Sequence, residues 1–172
     1  MTAASHTAPI SRRDALLLLT GSLVAMACGD APRALVPGTD SCARCRMTID
    51  DVRFGALVRT AKGKLLTFDS IECVAAYVAS LGTDSSPETV WVADFAMPSR
   101  WVEATSARYL HGSALRSPMG RDLAAFGADT NPAALVAAHG GTALTWPEVV
   151  ALTARPLSAP GTSDSAEPDH AR

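Results

Sequence analysis

Charge of one sign is scarce in this sequence: 15 Lys and Arg stand against 17 Asp and Glu over 172 residues, a formal net charge of -2. No Lys/Arg cluster breaks that balance, which argues against a nucleic-acid partner. Long apolar runs are missing too. None approaches the roughly 18–20 residues that a permanent transmembrane helix needs. No nucleophile–base pair, phosphate-binding glycine loop or paired-carboxylate motif stands out, so a non-enzymatic protein is expected. What is present is material for a core: 48% of residues are hydrophobic, only 19% are charged, and mean hydropathy is +0.14. Those proportions argue against wholesale disorder, and the length predicts one ordinary domain or two very small ones. Sulfur is also present, as four Cys and five Met. Its purpose is the question the sequence poses.

The N-terminal segment reads as an address. Ser11-Arg12-Arg13-Asp14 puts adjacent arginines ahead of an apolar stretch from 15 to 27, a signal-peptide core by length. The arginine pair resembles the twin-arginine export motif. Ala25-Met26-Ala27-Cys28 then resembles a lipobox, in which cleavage before Cys28 leaves a sulfur that carries lipid, although Ala25 stands where Leu or Val is usual. The alternative is plain cleavage after Ala27, with Cys28 a free thiol. If Cys28 is the anchor, Cys42, Cys45 and Cys73 remain, and an odd number of exported cysteines cannot all pair within one chain. The chain then divides into a signal peptide (1–27), a Pro/Gly-containing tether (28–40), two small α+β units (41–98 and 99–155) and a disordered Pro/Ser/Ala/Asp tail (156–172).

Within the folded part, a strand over 54–60, a turn at 61–64 and a return strand over 65–68 read as a hairpin. Asp69 or Ser70 can cap a helix over 71–81, where Val74, Tyr77, Val78 and Leu81 recur at helical spacing. A buried strand over 90–93 and a short strand over 101–104 follow. Helices are expected over 121–126 and 132–138, the latter with Asn131 as cap, Pro132 first and Gly140 or Gly141 at its end. A strand over 142–146 and a helix over 147–153 close the fold. The stretches 63–71 and 141–149 echo each other as a glycine, a strand and a helix start, compatible with a duplicated α+β unit.

Cys42-Ala43-Arg44-Cys45-Arg46-Met47 carries the most chemistry. Two thiols three positions apart in a turn can face one small ion or each other. A thioether just beyond can join them, and soft sulfur donors select Cu(I) over harder cations. Arg44 and Arg46 add positive charge that favours thiolate. A c-type haem site would need His at position 46. A redox or structural disulfide is the blander reading of the pair. Cys73, at the start of an apolar helix, is either a core thiol or a third ligand. Met119, between Pro118 and Gly120 in a polar loop, is either an exposed soft ligand or a hydrophobic staple; Met97 before Pro98 has a similar look. His111 and His139 stand alone, and His139 suits a helix end. Asp69 and Asp94 read as caps or turn residues.

In their order, several segments resemble the NosL family, the nitrous-oxide reductase accessory lipoproteins. They are the lipobox Cys28, Cys42-x-x-Cys45-Arg46-Met47, Thr67-Phe68-Asp69-Ser70-Ile71-Glu72-Cys73, Val92-Ala93-Asp94-Phe95, Trp101-Val102-Glu103-Ala104 and Pro118-Met119-Gly120. The resemblance spans roughly residues 28 to 152. It implies a fold of two related ββαβ units, similar to part of the organomercurial lyase. It also implies Cu(I) binding and delivery of copper to the copper centre of nitrous-oxide reductase, from the periplasmic side of a membrane. Met47 and Met119 become the first thioether candidates, Cys42 and Cys45 come next, and Cys73 last. Family members commonly have Gly at the position of Arg46, a difference that bears on the local turn. Two other readings stay open: a thiol–disulfide oxidoreductase using Cys42 and Cys45, and a mercury-handling protein, which would need a carboxylate such as Asp69 beside the thiols.

Overall fold

The computed structural model describes residues 32–82, 87 and 89–154. The expected export signal, the lipid site Cys28 and the tail over 156–172 lie outside the described residues. Among those residues no helix is long and apolar enough to cross a membrane.

The described residues are α+β, with two antiparallel sheets and three α-helices. Strands β1 (Ala56–Arg59) and β2 (Leu65–Phe68) form the expected hairpin, and helix α1 (Ile71–Ser80) returns the chain to β3 (Thr89–Asp94) and β4 (Met97–Glu103). The first sheet runs β2-β1-β3-β4. Its strands bury both faces, as residue alternation requires. Ala56 and Val58 join Phe68, Val92 and Val102 in the main core, whereas Leu57 turns to the other side, against Leu35 and Ile49.

The second half repeats the plan. Strands β5 (Arg108–His111) and β6 (Ala124–Phe126), helix α2 (Pro132–His139) and β7 (Thr142–Leu144) form a sheet ordered β6-β5-β7. In both sheets the first strand of the unit lies between its second and third, antiparallel to each. The last helix, α3 (Trp146–Ala154), packs on α1. Tyr109 of β5 and Val149 of α3 share the main core with α1 and the first sheet. The Phe95 N–H, in the turn between β3 and β4, also donates to the Ala125 carbonyl of β6 at 2.8 Å.

Four expectations need correction. Residues 32–40 are not a free tether: Leu35 is buried, Gly38 donates to the Ile49 carbonyl, and the Asp40 carboxylate accepts from Val36 N–H and Arg33. One apolar side chain and one well-placed acceptor suffice to hold the segment down. The helix expected over 121–126 is instead β6, whose three residues are all buried. A strand covered on both faces has no alternation to betray it. The first sheet closes at Glu103 rather than at 98, because β4 pairs with β3. Finally, the echo of 63–71 in 141–149 aligns β2–α1 with β7–α3, not with its topological counterpart β6–α2. It marks two similar strand–helix junctions, while the repeated plan lies in a different register.

The second sheet depends on a close passage at Gly141. Its φ is +80°, and a Cβ there would drive into the His111 carbonyl and the Ser113 amide. Both neighbours are backbone and cannot swing aside. Gly141→Ala is therefore expected to destabilise the protein by about 2 kcal/mol or more, measured as a lower denaturant midpoint with an unchanged slope.

Candidate metal centre

The loop over 42–47 folds back on itself. Cys42 N–H donates to the Met47 carbonyl at 2.8 Å, Arg46 N–H donates to the Cys42 carbonyl at 3.1 Å, and Ser41 bridges to Thr48. The chain can turn this tightly because Arg46 adopts φ +67°, the left-handed conformation that favours glycine. That backbone demand is one a glycine would meet without strain. The loop is then stitched to β2: Ala43 N–H donates to the Thr67 carbonyl at 2.8 Å, and Thr67 Oγ1 donates to the Ser41 carbonyl at 2.7 Å.

This seam brings the loop to the start of α1. Ser70 is the cap, its Oγ accepting from Cys73 N–H at 3.2 Å. Asp69, expected as a cap or turn residue, is left to point elsewhere. It points at the thiols. The sulfurs of Cys42, Cys45 and Cys73 and a carboxylate oxygen of Asp69 all lie within 4.8 Å of one another. The three cysteines are free thiols; Cys42 and Cys73 are each 1% exposed, and Cys45 is half-buried. Asp69 is 3% exposed; its Oδ2 accepts from Cys45 Sγ at 3.4 Å, and its Oδ1 has no hydrogen-bond partner among the described residues.

Electrostatics separate the thiols. The Cys42 pKa falls to about 6, because the Cys73 thiol hydrogen-bonds its sulfur and the backbone N–H groups of Asp69, Cys45 and Arg44 add to this against burial. Cys73 is pushed upward by donating that hydrogen bond and by burial, and Cys45 chiefly by burial. At neutral pH the site therefore holds one thiolate beside two thiols. The arginine charges expected to lower these values are not among the causes; the Cys73 thiol does it first, with backbone amides adding to it.

The methionines fall at two depths. Met47 is 52% exposed at the end of the loop. Met119, read as either an exposed soft ligand or a hydrophobic staple, is half-buried and, like Cys45, packs against the core that contains Cys42 and Cys73. Its loop is tied to α1 by buried Glu72, whose Oε1 accepts from Ser117 Oγ and from Leu123 N–H. Met97 is exposed on β4. Asp94 behaves as a turn residue, accepting from Ala96 N–H, and His139 ends α2 and stacks on Phe126.

The NosL family model matches residues 34–152. The chain belongs to the NosL family. Its fold is similar to the crystal structure of the copper chaperone NosL from Shewanella denitrificans, with a TM-score of 0.56 and 21% identity over 68% of this chain and 94% of that one. No curated protein matches. Membership rests on the whole span, including the segment over 34–40 that packs beneath the first sheet. It also frames Arg46 as a cationic side chain on a backbone suited to glycine.

Two measurements check the site. Arg46→Gly is expected to stabilise the protein by roughly 0.5–1 kcal/mol, the left-handed penalty less the entropy that glycine adds to the unfolded chain, read by denaturant titration. Thiolate absorbance of the reduced protein should rise with a midpoint near pH 6 from Cys42, and this step should vanish in Cys42→Ser. The linkage has a definite sign. A thiol with a lowered folded pKa contributes stability that is full above the free value of about 8.5 and is lost as pH falls through the folded value. Wild-type stability relative to Cys42→Ser should therefore rise between about pH 6 and 8.5.

Proposed function

We propose that this protein is a lipid-anchored Cu(I) chaperone of the cell envelope, tethered through Cys28 on the periplasmic side and delivering copper to nitrous-oxide reductase. The observation that carries the reading is the convergence of three free thiols and a buried carboxylate within 4.8 Å. The copper chaperone whose fold this chain shares supports the choice of metal. Copper here is cargo, so the site must both hold it and surrender it.

The donor set fits that cargo. Metal–sulfur bonds of about 2.3 Å let two sulfurs on one ion lie up to about 4.6 Å apart, so the cluster needs to close only slightly. Soft thiolates select Cu(I), and the Cys42 thiolate is ready at neutral pH. Cys42, Cys45 and Cys73 are the proposed primary ligands. Half-buried Met119 and exposed Met47 are candidate thioethers that join during loading or release. Asp69 is a hard donor, poorly matched to Cu(I), and its role is to accept the hydrogen bond from Cys45 Sγ.

The oxidoreductase reading fits less well. Exchange chemistry needs its low-pKa thiolate within reach of a substrate disulfide, yet the thiolate here is buried Cys42 and the reachable thiol is Cys45. The mercury-handling reading gains one point, since Asp69 does stand beside the thiols. Incubating reduced protein with an arylmercurial tests it; the chaperone reading expects no release of the arene.

The decisive experiment titrates Cu(I) into reduced protein against a competing chelator. One tightly bound ion is expected. Cys42→Ser, Cys45→Ser and Cys73→Ser should each weaken binding about 100-fold or more, and Met47→Ala/Met119→Ala should weaken it by a smaller factor. Asp69→Asn should leave Cu(I) affinity within a few-fold, whereas a four-donor zinc site would lose a ligand. Wild-type affinity in all the cysteine variants would overturn the assignment.

A further inference from the structure

Two arginines on the metal loop have no task within the fold. Arg33, Arg53, Arg100 and Arg116 each form an ion pair with a carboxylate. The guanidinium groups of Arg44 and Arg46 form no ion pair, hydrogen bond or ring contact with any described residue, and both side chains are exposed. Supporting the thiolate does not occupy them, since the donors at Cys42 Sγ are the Cys73 thiol and backbone amides. Arg46 also sits at φ +67°, where an arginine is strained and a glycine is not. An unpaired charge at a strained position, adjacent in sequence to half-buried Cys45 and exposed Met47, is available to a partner outside the molecule.

We propose that Arg44 and Arg46 form a cationic docking rim around the metal loop, recognising an acceptor protein that presents carboxylates around its own metal entry. This rests on the chaperone reading, and supplies what that reading lacks: a means of holding the donor loop against its partner while copper moves. Unpaired charges on a rim act mainly by steering encounter and fixing register, and they are screened by salt. Arg44 and Arg46 bracket Cys45 in sequence and Arg46 precedes exposed Met47, so the charges sit at the more accessible end of the loop. An acidic protein surface is favoured over an anionic membrane because the rim belongs to the exchange loop itself.

The test compares full-length wild type, Arg46→Gly and Arg44→Gln/Arg46→Gly. Arg46→Gly relieves the strained backbone, and Arg44→Gln keeps the backbone amide, so neither change is expected to impair folding. Association of each copper-free protein with copper-free nitrous-oxide reductase is measured at low and high NaCl, as is the rate of Cu(I) transfer. At low salt the double variant should associate and transfer about tenfold more slowly than wild type, and the difference should disappear at high salt. Transfer to dithiothreitol, a small neutral thiol, should be equal in all three. Because association is read without copper, a failure to bind copper would count against the chaperone reading and leave the docking result standing. Equal association in all three proteins, or none from wild type, overturns the proposal. So does loss of binding to phosphatidylglycerol vesicles with unchanged protein transfer, which would assign the rim to lipid.

Discussion

Thr67 uses both its carbonyl and its hydroxyl to hold the metal loop, accepting from Ala43 N–H and donating to the Ser41 carbonyl. Everything chemical about the molecule follows from that seam. Thr67 lies on β2, immediately before the turn into α1, so a loop fastened to it is also fastened against Asp69 and Cys73. Without the seam, Cys42 and Cys45 would be a flexible thiol pair. With it, they become two corners of a cluster whose other corners are rigidly set by a capped helix. The buried first turn of α1, packed against both sheets, supplies the stiffness.

The cluster manages its charge without a cation. One thiolate in the interior would be costly alone, since a buried ion must recover what it loses in hydration. Here it recovers it from a thiol and three backbone amides. The carboxylate of Asp69 is handled less completely, with one oxygen against Cys45 and the other unpartnered among the described residues. That imbalance leaves net negative charge in the pocket, which favours entry of a cation among the sulfurs. Backbone donors also make the site insensitive to surface substitutions, which leaves Arg44 and Arg46 free to serve another purpose.

Much of this was legible along the chain, for a physical reason. The sulfur pair, the hairpin and the helix capped before Cys73 are local features, encoded by neighbours a few residues apart. The repeated ββαβ plan could be expected only through the family resemblance; the echo pointed to a real strand–helix junction but in the wrong register. Asp69 reads first as a cap or turn residue, and beside the thiols only in the mercury-handling reading, because its place there is tertiary; yet a local signal existed. Asp69 and Ser70 are both competent caps and a helix start needs only one, so the other is available for different work. Strand β6 was misread because it is short and buried on both faces, and Leu35 because a single anchor leaves no periodicity.

Accessibility along the loop completes the argument. Cys42 and Cys73 are sealed, Cys45 is half-buried, and Met47 is mostly in solvent. A closed cage of four equivalent ligands would bind an ion more rigidly, but it would offer a partner no ligand to displace first. In the proposed chaperone role a graded set solves this, because an acceptor could engage the metal at the outer edge while the inner thiols still held it. In that picture the thioether at the surface serves exchange rather than affinity, and the buried thiolate serves retention. The tight turn at Arg46 keeps the two ends of the gradient on one short loop, so a single docking event reaches both.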